Sequence, residues 1–312
     1  MKRIVALVFV LAMLLSLAAC GIPVPRIDSS NKTENTVETE VEQPDSSAEE
    51  TTEEDSKVEA EVDFTEVVAV DNEECIIKIT GIDAENMWGY TLKALLENKS
   101  ADKTYMFSVD DASINGVQCD PFFASEVAAG KKSNAEISFS EDELEKNGIT
   151  EYTDIELTFR VYESDNWEAD DVAKETIHIY PYGEDKAEKF VREEQPSDNV
   201  IVDNDNVTVI VTGYEIDEIW GYTVNLFLLN KTDKNVMFSV DDASVNGFMA
   251  DPFYAASVSA GKCAFSSMSW SDTEFEENGI TDVETIEFTL RAYDEDDWFG
   301  DDLVNESVTL NP

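Results

Sequence analysis

Histidine is almost missing from this sequence: His178 is the single one in 312 residues. Nucleophilic catalysis with an imidazole base needs a histidine at each active site, and the common zinc sites use histidine as ligand. A lone His178, on the last strand of a repeated domain whose second copy has Thr309 at that place, reads as a surface strand residue. Cations are scarce as well. Lys and Arg number 21 against 69 Asp and Glu, for a formal charge of −48. A polyanion of this size does not bind nucleic acid by neutralising phosphates, nor does it adhere to anionic lipid. Its plain consequence is solubility and self-repulsion. There is no glycine-rich phosphate loop. Acids are so abundant that no pair stands out for glycosidase-type chemistry, and no catalytic residues are expected.

What is present begins at the N-terminus, "MKRIVALVFVLAMLLSLAAC". Lys2 and Arg3 form a basic start. Ile4 to Leu17 is an apolar run too short for a membrane span, and Leu17-Ala18-Ala19 offers small residues to a peptidase. The pattern predicts a lipoprotein signal over residues 1–19, with Cys20 carrying the lipid. Such a chain is held by buried acyl chains on the extracellular side of the cell membrane, with no transmembrane helix. Residues 21–62 contain thirteen acids against Arg26, Lys32 and Lys57. That composition cannot bury a core, so residues 20–62 are expected to form a disordered acidic tether.

The rest is written twice. "MFSVDDASINGVQCDPFFAS" (Met106 to Ser125) returns as "MFSVDDASVNGFMADPFYAA" (Met237 to Ala256), with fourteen of twenty positions identical. "MWGYTLKALLENKS" matches "IWGYTVNLFLLNKT", and "IELTFRVYESDNW" matches "IEFTLRAYDEDDW". Repeat 1 is placed at 63–182, a charged linker at 183–198, and repeat 2 at 199–312. The two copies are expected to be independent domains. The linker, "GEDKAEKFVREEQPSD", has room for a short helix before Pro196.

Within each copy the hydrophobic period is two. Cys75, Ile77 and Ile79 face inward, as do the even positions from Tyr90 to Leu96 and the odd ones from Ile155 to Val161. Short alternating strands with turns between them predict antiparallel β-sandwiches. One helical turn is expected at "SEDELEKNG" and at "SDTEFEENG". Asn115-Gly116 is a two-residue hairpin signal. It sets Ile114 opposite Val117, and in repeat 2 Val245 opposite Phe248 on the same inward face. The inward phase changes from odd to even at Asp110-Asp111, which predicts a β-bulge there.

With the lipobox, the acidic tether, "NKT", "FSVDDASVNG" and the later "NGI" in view, the chain resembles a group of immunoglobulin-like domains found in surface lipoproteins of Gram-positive bacteria. The resemblance covers both repeats. It implies an all-β fold, with two tandem immunoglobulin-like antiparallel β-sandwiches and one short helical turn in each. It implies no activity, because that group offers no catalytic residues to carry over.

Four features remain as candidate sites. Trp88 and Trp220 begin a strand in each copy, and Trp167 and Trp298 follow the Arg160 and Arg291 strands. Exposed rings there suit stacking on sugars; the alternative is that they cap the sandwich cores. Phe227 falls on an outward face, where repeat 1 has Leu95, and this apolar pair is placed to contact another domain or a partner. Acidic loops ("ESDNWEADD", "DEDDWFGDD") and the Asp110, Asp111, Asp120 and Asp241, Asp242, Asp251 sets are oxygen-rich enough for Ca²⁺, although neither loop has helix–loop–helix spacing; otherwise no cofactor is expected. Cys75 and Cys119 both fall on inward faces, as a disulfide or as two buried thiols. Cys263, which replaces Lys132, has no partner in its own repeat. The expected function is therefore non-catalytic binding at the cell surface, of a protein, peptide or glycan. A structural spacer, or a hydrolase or inhibitor using the acidic loops, are the alternatives.

Overall fold

The computed structural model describes residues 64–166, 168–297 and 299–312. The signal, Cys20 and the tether lie outside the described residues, as do Trp167 and Trp298. Repeat 1 runs β1 (Val67–Asp71), β2 (Cys75–Asp83), β3 (Tyr90–Asn98), β4 (Tyr105–Ile114), β5 (Val117–Gln118), β6 (Ala124–Val127), β7 (Lys132–Phe139), helix α1 (Glu141–Lys146), β8 (Ile155–Glu163) and β9 (Ala173–Ile179). Repeat 2 follows the same order: β10 (Asn199–Asp203), β11 (Val207–Asp217), β12 (Gly221–Asn230), β13 (Val236–Val245), β14 (Phe248–Met249), β15 (Ala256–Val258), β16 (Cys263–Trp270), α2 (Asp272–Asn278), β17 (Ile286–Asp294) and β18 (Val304–Leu310).

Each repeat packs two sheets face to face, β1-β2-β3-β7 against β5-β4-β8-β9, and β10-β11-β12-β16 against β14-β13-β17-β18. The alternation of the sequence is the alternation of burial. Cys75, Ile77 and Ile79 are wholly buried, while Lys78 between them points out and pairs with Glu66. Each fully buried aliphatic side chain contributes roughly 1.5–3 kcal/mol. Leu92, Leu96 and Ile137 of the same sheet and Phe107, Leu157 and Phe159 of the facing one complete the core of repeat 1; Val209, Leu228, Met268 and Trp270 from one sheet and Phe238 and Leu290 from the other fill repeat 2.

The Asp-Asp phase change is a bulge in both copies. In repeat 1 the β4–β8 register slips between Val109 and Asp111, and in repeat 2 the β13–β17 register slips between Asp241 and Ser244. The hairpin follows as its sequence requires: Asn115 and Gly116 have φ of 54° and 83°, Asn246 and Gly247 of 51° and 80°, the left-handed pair of a type I′ turn. Ile114 pairs with Val117 and Val245 with Phe248. Val245 is buried, but Phe248 is not; it is 48% exposed, contrary to the inward face expected for it. Both short helices form where expected, and Ser271 caps α2 by accepting from the Glu274 N–H.

The linker is not helical beyond one 3₁₀ turn at Glu184–Lys186. Its backbone finds partners on repeat 1 instead. The Phe190 N–H donates to the Asn115 carbonyl and the Glu188 N–H to Thr153 Oγ1, so tertiary bonds replace those a helix would have made. Arg192 forms a two-pronged pair with Asp198 at 2.6 and 2.7 Å, holding the far end.

Each repeat keeps its own core, but Phe227 and Cys263 of repeat 2 join the cluster of repeat 1, and the sheets merge. β16 pairs in parallel with β5 through Cys263 and Val117, joining one sheet of each repeat into a nine-stranded sheet. The Cys263 N–H donates to the Gly116 carbonyl at 3.1 Å. Gln118 reaches across with both ends of its amide, donating to the Ser257 carbonyl and accepting from the Ser259 N–H, each at 2.8 Å. Ser259 donates to Asp111 Oδ2, Lys262 pairs with Glu156, and Lys189 of the linker donates to the Gly261 carbonyl. Phe227 and Phe265 (ring centres 5.3 Å apart) take Phe190 and the Arg192 guanidinium against them. Phe227 is thus buried in the contact between the repeats and their linker.

Candidate functional site

The Trp-Gly-Tyr strand starts are built by their glycines. Gly89 and Gly221 take φ of 97° and 77°, which L residues other than glycine rarely adopt. A Cβ on Gly221 would also collide with the Trp270 carbonyl oxygen. This turn sends the two flanking rings in opposite directions. Tyr90 goes in, 7% exposed and edge-on to Tyr152 at 4.5 Å. Trp88 goes out, 69% exposed, and Trp220 likewise at 54%. Neither ring belongs to a core cluster. The preceding turn is fixed by a side-chain acceptor in each copy. Asn86 Oδ1 accepts from the Trp88 N–H at 3.0 Å, and Asp217 Oδ1 from the Ile219 and Trp220 N–H groups at 2.7 and 2.8 Å. Those two donors hold the Asp217 carboxyl below its ordinary range.

Each copy also exposes a phenylalanine. Phe122 and Phe253, one residue after the proline of the repeated block, each pair by a single bridge with the neighbouring strand, at Ser138 and Ser269. In repeat 2, Trp220 and Phe253 lie nearly parallel (17°) with ring centres 5.6 Å apart. Ile219 stands beside them, as Met87 stands beside Trp88. Contiguous exposed apolar groups of this kind mark contact surfaces rather than scattered surface residues. Phe122 and Phe253 were missed in the sequence because they sit in a turn-like "DPF" context with no alternation to read.

Beside Trp220 the surface becomes polar. A groove of about 310 Å³ is lined by Thr212, Asn225, Ser266, Ser267 and Asp217, with Trp220 on its rim. Lys146 and Asn147 at the end of α1 close it from the side of repeat 1, and it continues past Phe265 into a cavity of about 750 Å³ along the linker. An aromatic face bordered by hydroxyls, amides and carboxylates can offer stacking to one side of a ligand and hydrogen bonds to its edges.

The aspartates are drawn into other contacts. Asp110 pairs with Lys174 at 2.6 Å. Asp111 is turned toward repeat 2, where burial raises its carboxyl above the usual range despite the bond from Ser259. Asp241 lies 3.5 Å from Arg291, Asp242 occupies the left-handed position (φ 54°) of its bulge, and Asp120 and Asp251 are exposed. In the acidic loops, Asp171 and Asp302 pair with Arg160 and Arg291 of their own strands. Among the described residues no group of three or more His, Cys, Asp or Glu side chains is arranged to hold a metal ion. No disulfide joins Cys75 to Cys119; Cys75 is fully buried and its thiol is pushed up to about 11 by burial. His178 is on the surface, 2.7 Å from Asp154 through Nδ1 and stacked on Tyr180. Among the described residues no helix is long and apolar enough to cross a membrane.

No family model and no curated protein matches this chain. Among solved structures the chain is similar to the crystal structure of the YadV chaperone, at 11% identity over 76% of this chain and 100% of that one, with a TM-score of 0.23. At that score the likeness carries no inference, and the all-β sandwich fold rests on the strands themselves.

Proposed function

We propose that this chain is a lipid-anchored extracellular binding protein, held to the membrane through Cys20, whose two immunoglobulin-like modules bind a glycan without catalysis. The carrying observation is the exposure of Trp88 and Trp220 at equivalent positions, with Trp220 stacked on the exposed Phe253. The polar groove next to Trp220 supports a sugar over a purely apolar partner, because a sugar presents a C–H face to stack and hydroxyls to bond. The acidic surface favours a neutral or cationic glycan over a sulfated or uronic one.

The test is a glycan array probed with the full chain and with Trp88→Ala, Trp220→Ala and the double variant. Both rings are exposed, so melting temperatures should be unchanged. Affinity should fall about tenfold or more for whichever ring contacts the ligand. Binding that the double variant retains in full would sink the aromatic reading, and an array without hits alongside a protein recovered on immobilised chain would replace glycan by a protein partner.

A further inference from the structure

The two copies of the hairpin differ in one respect that points outward from the molecule. In repeat 1 the hairpin edge, β5, is covered by the start of β16 of repeat 2. In repeat 2 the equivalent edge, β14, is covered by nothing among the described residues, and it presents Phe248 (48% exposed) and Met249 (66% exposed). The protein itself shows what seats on such an edge: the Gly-Lys corner that opens the β16 strand of an immunoglobulin-like repeat. Repeat 1 has that corner too. Gly130-Lys131-Lys132 corresponds to Gly261-Lys262-Cys263, and it is exposed at the start of β7, a sheet edge.

Charge makes the match specific. Across the internal junction Lys262 pairs with Glu156. The equivalents are Lys131 in repeat 1 and Glu287 in repeat 2. Both are exposed, and neither has an ion-pair partner among the described residues. In a chain with 21 cations for 69 acids, a lysine left without a carboxylate is notable. A second change is paired in the same way. Where Gln118 meets Ser259 with polar atoms, the equivalents are Met249 and Ala128, both apolar. The aromatic pair Phe227 and Phe265 is replaced by Leu95 and Asn134 in repeat 1, but those rings receive the linker (Phe190 and Arg192), which a separate molecule would not bring.

We propose that copies of this chain associate head to tail: the repeat 2 hairpin, with Phe248, Met249 and Glu287, seats on the Gly130–Lys132 corner of repeat 1 of a second copy. Glu287 pairs with Lys131, and the Gly247 carbonyl accepts from the Lys132 N–H, as Gly116 does from Cys263. The contact is heterologous, so it extends into strings and does not close at two copies.

The experiment is sedimentation of the full chain, from low to high micromolar, at physiological salt. The average mass should rise with concentration and pass that of a dimer. Lys131→Glu and Glu287→Lys should each weaken association roughly tenfold. The variant carrying both, and an equal mixture of the two single variants, should recover it. Neither residue has an ion pair among the described residues, so both variants should melt as the parent does. Mass that stays at one copy overturns the proposal. So does association that ignores Lys131→Glu but vanishes in Phe248→Ser/Met249→Ser, which would mean that hairpin meets hairpin.

Discussion

Two hairpins built on the same Asn-Gly turn, residues 112–119 and 243–250, have opposite surroundings. The first has Val117 at 2% exposure and Ser113 at 3%; the second has Phe248 and Met249 open to solvent. The local rules gave both the same turn and the same hairpin pairing, each preceded by a bulge. What separates them is a neighbour. Burial at an edge strand is a property of the assembly around it, and it can reverse while the turn and the hairpin pairing stay the same. The same neighbour accounts for the raised carboxyl of Asp111, whose counterpart Asp242 remains exposed.

The largest test of this comparison puts a charge on each edge. Val117→Asp buries an unpaired carboxylate beneath repeat 2 and should cost roughly 3–5 kcal/mol, seen as a large fall in melting temperature. Phe248→Asp should stay within about 0.5 kcal/mol of the parent. Equal losses at the two positions would show that the edges are not different.

A smaller contrast lies in the cores. Tyr254 has a buried hydroxyl with no partner among the described residues, and burial raises its ionisation above the ordinary tyrosine range. Repeat 1 has Phe123 at the same place, packed edge-on to Phe159. Tyr254→Phe should therefore stabilise by about 1 kcal/mol, since an unmade buried hydrogen bond costs about 1–3 kcal/mol. Phe123→Tyr should destabilise by a similar amount. Denaturant midpoints measure both, and a Tyr254→Phe variant less stable than the parent would mean that the hydroxyl is bonded.

The smallest effect is in pH. Because the folded pKa of Asp111 lies above its unfolded value, its contribution to stability is full below about pH 3.8 and is lost as pH rises through the raised value. Asp111→Asn should remove that loss, keep an acceptor for Ser259, and raise the melting temperature at pH 7 but not at pH 3. The opposite sign belongs to Asp302, held below its usual range chiefly by the bond from Arg291; its contribution is present at neutral pH and lost as pH falls.

Strand faces, the hairpins and the bulge were legible because each rests on local alternation or on a turn that only Asn-Gly fills well. The junction was not legible from either repeat alone. Its signal lay in the places where the copies diverge. Cys263 for Lys132, Phe265 for Asn134 and Phe227 for Leu95 each put a less polar or larger apolar side chain on the strands that meet repeat 1 and the linker. Phe227 could be singled out as an outward aromatic. Cys263 could not, because a lone cysteine in place of a lysine reads as drift until its strand is seen against Val117. The linker escaped for a related reason: its charged residues suit a helix in isolation, whereas Asn115 and Thr153 supply competing partners from elsewhere in the chain. For the candidate site, Trp88 and Trp220 were named, but their direction was set by a glycine dihedral.

Cys263 has a kinetic consequence. Its thiol is shielded where the repeats meet and pushed up to about 11, mainly by burial, so at neutral pH a thiol reagent reacts with it only during moments when the two repeats part. Cys75, inside the core of repeat 1, waits for that domain to unfold. The chain thus carries two clocks, and the ratio of their labelling rates reads how often the repeats separate while each remains folded.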